Sequence, residues 1–131
     1  MSRKMNEHAW ECLSKHLDPE FKDYVLLKFS DCYDYSPDVF WGPMIADIVK
    51  LMKRREDYDN NIDYKVVQVK RKFGLLRFYV DGCDDYLRGV IALAEWQCTQ
   101  LCKKCGSYGK EKITLGSYNG GHCVDCCNLH Y

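Results

Sequence analysis

Apolar residues recur along this chain in stretches of two different periods. In residues 5–17, Ala9, Leu13 and Leu17 fall on one helical stripe with Trp10 beside it, which predicts a first helix ended by the Asp18-Pro19 step. Tyr24 to Phe29 reads as a short strand or an extended core segment. A second helix is predicted over residues 43–55. It starts from Gly42-Pro43 or Ser36-Pro37, with proline suited to the first turn. Met44, Ile45, Ile48, Leu51 and Met52 form its apolar side, and Lys53, Arg54 and Arg55 occupy the last turn, where cations oppose the helix dipole favourably.

The stretch EDYDNNID then reads as an acidic linker, and the period changes to two. Ile62 to Lys72 and Leu75 to Asp81 make a β-hairpin over residues 62–81, turning near Phe73-Gly74. Val67 and Val69 are expected on one face of the first strand, with Leu76, Phe78 and Val80 sharing a face of the second. A third helix over residues 85–101 opens at Asp84 or Asp85. It carries Leu87, Val90, Ile91, Ala94, Cys98 and Leu101 at helical spacing. The pattern predicts an α+β fold, helices packed on one face of a small antiparallel sheet, over residues 1–101, with residues 102–131 as an appended tail.

Composition narrows the function. At 131 residues the chain is long enough for an ordinary core, so cysteines are not needed to rescue a small one. The formal net charge is zero, which argues against a surface built wholly for nucleic acid or an acidic membrane while leaving room for a local patch. No segment reaches membrane-spanning length and no apolar run follows the basic start MSRK, so the expected location is the cytoplasm. There, nine cysteines, an odd number with Cys126 and Cys127 adjacent, are better used on metal than in disulfides.

CKKCG at 102–106 and HCVDCC at 122–127 supply two C-x-x-C pairs seventeen residues apart, the spacing of a four-thiolate zinc ribbon. Each C-x-x-C turn aims two sulfurs at one ion, and two turns complete a tetrahedron. Cys102, Cys105, Cys123 and Cys126 are the predicted ligands; Cys127-Asn-Leu-His130 is a C-x-x-H pair that would also serve as the second knuckle, and His122 is a further candidate. Such a closed site leaves no position for a reacting water, so one structural Zn²⁺ per chain is expected. A deaminase-like reading of Ala94-Glu95 before the first knuckle fails, because Leu93 stands where a metal ligand belongs and Leu101 where proline belongs. Cys12, Cys32, Cys83 and Cys98 read as core residues or ordinary thiols.

Between residues 65 and 80 the chain carries Lys65, Lys70, Arg71, Lys72 and Arg77 and no acidic residue. With Tyr79 these form either a contact surface or the solubilising rim of an exposed hairpin. His8 and His16 read as surface residues. Asp57, Asp59, Asp63, Asp81, Asp84 and Asp85 read as solvated loop positions, and Glu95 as a partner for Arg77 or Arg88. No nucleophile–base pair or phosphate-binding loop stands out.

The series KRKFGLLRFYVDG, AEWQC and CKKCGSYG, closed by the terminal knuckle, resembles a family of small phage and prophage proteins with a KEKFGGLRFY-type hairpin and paired C-terminal cysteines. The likeness spans roughly residues 66–127 and departs from the pattern in two places. Leu75 replaces a second glycine, and the last knuckle reads Cys-x-x-Cys-Cys where the family more often has Cys-x-x-His. The resemblance implies a phage-type accessory role and supplies no activity. The expected function is a non-catalytic module binding a host or phage protein, so as to modulate a host process or defence system, with the Arg77/Tyr79 face of the basic hairpin (Lys70, Arg71, Lys72, Arg77, Tyr79) and the zinc tail together as the contact surface. The alternative is a nucleic-acid or nucleotide binder using the same basic hairpin.

Overall fold

The computed structural model describes residues 4–101. The element order is α1 (Met5–Leu13), α2 (Lys22–Lys28), β1 (Asp34–Ser36), α3 (Gly42–Tyr58), β2 (Lys65–Lys72), β3 (Leu75–Asp81) and α4 (Asp85–Cys98). The α+β class holds. Among the described residues no helix is long and apolar enough to cross a membrane.

Several element assignments differ from the sequence expectation, each for a local reason. Tyr24–Phe29 is mostly helical, not extended. Pro19 opens a 3-10 turn (Pro19–Phe21) that runs directly into α2. Val25, Lys28 and Phe29 are the buried members of that segment, a helical spacing hidden by the apolar run Val25-Leu26-Leu27. Helix α1 stops at Leu13, where the Ser14 N–H and its hydroxyl satisfy the carbonyls of Trp10 and Glu11. Leu17 nevertheless packs into the core. Helix α3 starts at Gly42, behind a 3-10 turn (Val39–Trp41) capped by Asp38, which accepts from the Phe40 N–H at 3.0 Å. It continues to Tyr58, so Glu56 is helical and not part of a linker. Helix α4 ends at Cys98, three residues short of the expected Leu101.

The sheet has the order β1-β2-β3 and is mixed, not antiparallel. The short β1 runs parallel to β2, pairing Tyr35 with Val69, and only β2 and β3 form the antiparallel hairpin. A β-bulge between Val66 and Gln68 changes the strand's facing. Val66 and Val69 are fully buried and Val67 is the extra residue, in place of the expected Val67–Val69 pair. Tyr35, Val66, Val69, Leu76 and Phe78 belong to one core cluster with Leu13, Phe29, Trp41, Ile45, Met52, Leu87 and Ile91 from the helical segments.

Candidate functional site

Cross-strand pairing decides which hairpin residues share a surface. Gln68 lies opposite Tyr79, Lys70 opposite Arg77 and Lys72 opposite Leu75, while β1 brings Asp34 beside Gln68 and Ser36 beside Lys70. Because Val69 and Phe78 face the core, these pairs form the sheet's outer face. The fold therefore gathers Lys70, Lys72, Arg77 and Tyr79. Arg71 does not join them: it lies on the opposite side of β2 and approaches Asp38 at 3.8 Å.

The same face includes residues that the hairpin motif does not mark. The Tyr33 hydroxyl donates to Gln68 Oε1 at 2.9 Å, and Gln68 Nε2 reaches Asp34 Oδ2 at 3.3 Å. A parallel β1 three residues long has no hydrophobic alternation to reveal it, so nothing local in the sequence pointed to Tyr33.

At the hairpin tip, Phe73 and Gly74 both have positive φ, 54° and 77°. Two successive left-handed residues are what a tight two-residue hairpin needs, and Asn or Gly normally supplies them. Here the first is a phenylalanine that is 79% exposed, with the Lys72 ammonium 5.7 Å from its ring centroid. A Cβ-bearing aromatic in this conformation gives up backbone energy and gains no burial in the described fold.

Glu95 approaches β3 from α4. Burial raises its pKa above the ordinary carboxylate value, partly offset by the nearby Arg77 charge and a hydrogen bond from the Phe78 N–H. That contact covers a backbone donor on the edge strand. Arg88, the other expected partner, pairs with Asp85 at 2.7 Å.

A second polar cluster lies inside the molecule. Lys28, nearly buried on α2, makes ion pairs with Glu56 and, at 2.9 Å, with Asp63. Glu56 also accepts from the Tyr24 hydroxyl through Oε1 and from the Tyr64 N–H at 2.8 Å through Oε2. Tyr64, itself fully buried, donates its hydroxyl to Asp84 at 2.8 Å, and Asp84 caps α4 by accepting from the Leu87 N–H at 3.0 Å.

The shifts in this cluster follow from burial and pairing. Burial, with the Glu56 contact, drives the Tyr24 hydroxyl well above its usual range. Burial alone would lower Lys28, but Asp63 and Glu56 outweigh it and hold the ammonium above its usual value. Lys28 in turn holds Asp63 below the carboxylate range. Burial raises Asp84, yet hydrogen bonds from Leu87 and Tyr64 and the Arg55 charge leave it lowered. Every charged group here has a partner, so the cluster ties α2, α3 and α4 together and presents no free acid or base.

The remaining sequence candidates fall elsewhere. His8, Cys12 and His16 line a cleft of about 240 Å³ with Tyr35 and Asp38, and Cys12 Sγ lies 3.9 Å from His8 Nε2. Cys32 and Cys98 are buried, and burial pushes the Cys98 thiol up to about 12. Asp57 pairs with Lys53 at 2.9 Å, and Asp59 accepts from the Asn61 N–H at 2.9 Å. Among the described residues no group of three or more His, Cys, Asp or Glu side chains is arranged to hold a metal ion. The predicted zinc ligands Cys102, Cys105, Cys123 and Cys126, with Cys127, His130 and His122, lie outside the described residues. Comparison with known proteins found no matching family model, no similar curated protein and no similar solved structure.

Proposed function

We propose that this chain is a non-catalytic protein-binding module that contacts its partner through the hairpin tip and outer sheet face, with one structural Zn²⁺ held by Cys102, Cys105, Cys123 and Cys126. The observation that carries the reading is Phe73. A large apolar side chain held exposed, in a backbone conformation it disfavours, gives up stability that burial against a partner would return. Tyr79 and Arg77 follow on the same hairpin, and aromatic and arginine side chains dominate protein interface energetics. The setting we propose, from the likeness of KRKFGLLRFY to phage proteins, is a phage-encoded accessory protein acting in the host cytoplasm on a host process or defence system.

The second reading, a single-strand nucleic-acid platform, draws on Lys70, Lys72 and Arg77 standing on one face with Tyr79 and Tyr33. Salt separates the two. Three phosphate contacts would give a log–log slope of affinity against salt of about −2. A partly apolar protein interface loses far less.

The test is affinity capture of tagged full-length protein from host cells, at low and high salt with nuclease added. It is run in parallel on Phe73→Asn and on an Arg77→Ala/Tyr79→Ala variant. A protein retained by the native chain at high salt and lost by both variants is the expected result. Equal capture by all three chains overturns the assigned surface, and material removed by nuclease or salt transfers the surface to the second reading.

A further inference from the structure

The cleft beside α1 takes its walls from described residues: Lys15 and His16 in the turn after α1, Tyr35 on β1, and Pro37, Asp38 and Val39 in the loop leading to α3. Tyr35 is only 4% exposed, and because it lines the cleft, that remnant opens there. Its ring packs edge-on against the rings of His8 and Phe29, at centroid separations of 5.9 and 6.0 Å. A buried tyrosine hydroxyl ordinarily has a hydrogen-bond partner. Tyr64, the other buried tyrosine of the described fold, donates to Asp84 at 2.8 Å, and the Tyr24 and Tyr33 hydroxyls also donate to side chains. The Tyr35 hydroxyl has no such partner among the described residues. Burial, with Cys12 and Cys32 nearby, lifts its pKa far above the usual phenol range. It therefore stays protonated, a donor whose acceptor has to come from the cleft.

The charges around the cleft indicate what that acceptor is. Lys15 is exposed at its edge and enters none of the ion pairs among the described residues. Asp38, the cleft's one carboxylate, is already engaged by the Phe40 N–H at 3.0 Å and by Arg71 at 3.8 Å. The His16 ring lies so close to Gly42 that a Cβ there would fall 2.6 Å from Nε2. Gly42 has an ordinary helical φ of −49°, so the room it leaves serves the imidazole and not the backbone. Pro37 and Val39 add apolar wall, and the volume of about 240 Å³ exceeds the roughly 150 Å³ that holds a benzene ring.

We infer that this cleft binds a small organic anion, a carboxylate or phosphate ester with a compact apolar body, whose headgroup accepts from the Tyr35 hydroxyl and pairs with the Lys15 ammonium. Neither residue belongs to the hairpin surface, so the inference stands whether or not the partner-binding reading holds.

The experiment is titration of the isotope-labelled full-length chain with benzoate and with phenyl phosphate, followed by amide chemical shifts, against benzyl alcohol as the uncharged control. Probe concentrations run to about 10 millimolar, which reaches the weak affinity of so small a ligand. Saturable shifts centred on residues 15–16 and 35–42 are expected with at least one anion and not with the alcohol, and the tighter anion identifies the headgroup. Tyr35→Phe keeps the ring contacts and removes the donor. It should weaken binding about tenfold while leaving the urea midpoint unchanged or higher. Lys15→Gln, on an exposed side chain, should weaken binding by a similar factor with an unchanged melt. The absence of saturable shifts with both anions overturns the inference, as do shifts centred elsewhere or an equal response to the alcohol. So does either variant binding as tightly as the native chain. A lowered urea midpoint for Tyr35→Phe would show that the hydroxyl already has a partner within the chain, and would overturn it too. Phe73, Arg77 and Tyr79 are untouched throughout, so failure here leaves the hairpin capture experiment unaffected.

Discussion

Glu56 is tied to three neighbours at once: Tyr24 on one oxygen, and the Tyr64 N–H and Lys28 on the other. Breaking a buried ion pair from one side costs more than the pair itself is worth, because the remaining charge stays desolvated. Lys28 keeps Asp63, whose side chain is mostly exposed, as its second partner. Glu56→Gln, which keeps the shape but removes the charge and turns one of the two accepting oxygens into an amide donor, should therefore cost about 3 kcal/mol, near the lower end for such losses. Lys28→Met combined with Glu56→Gln should cost clearly less than the two single changes added together, since no unpaired ammonium remains. Urea denaturation of the four chains measures this, and strict additivity would show that the pair is not coupled. None of this was legible at the residue scale in the sequence. Glu56 stands in an acidic run that reads as solvated, and Lys28 lies on a helix face that apolar periodicity reserves for the core. Only the approach of α2 to the end of α3 gives either residue its partner.

At the scale of elements, legibility followed the length and regularity of the apolar pattern. Helix α3 and the β2–β3 hairpin were readable because their patterns run through several repeats. Strand β1 was not, because three residues hold no period and its partner β2 lies some thirty residues later along the chain. The bulge at Val66–Gln68 was equally silent: period two in the sequence continues through a residue that the ladder skips. The turn was located correctly, and its chemistry carries an expectation independent of any partner. Replacing Phe73 by Asn, which tolerates the left-handed region, should recover about 1 kcal/mol. The melting temperature should rise by about 3–6 °C, since Phe73 contributes little to the described core. Calorimetry of the Phe73→Asn chain checks this. A drop in stability would mean that the phenylalanine packs intramolecularly, and would remove the main support for the hairpin tip as a contact surface.

At the scale of the whole molecule, the proposed organisation has two parts held by different physics. The described core, from Ala9 to Leu101, is one apolar cluster joined by the polar ties around Glu56 and Asp84. The C-terminal residues have few large apolar side chains and two cysteine knuckles, a composition whose order would come from metal binding. The two parts should respond differently to chelation. Native mass spectrometry of the reduced protein should find one zinc per chain, and a strong chelator should remove it. Far-ultraviolet circular dichroism should then keep most of its helical signal, because α1 to α4 all lie within residues 5–98 and bury one another's apolar faces. Loss of the helical signal together with the metal would show that the tail is part of the core's own stability. A chain isolated without zinc, and unchanged by chelator, would remove the metal site from the proposed architecture.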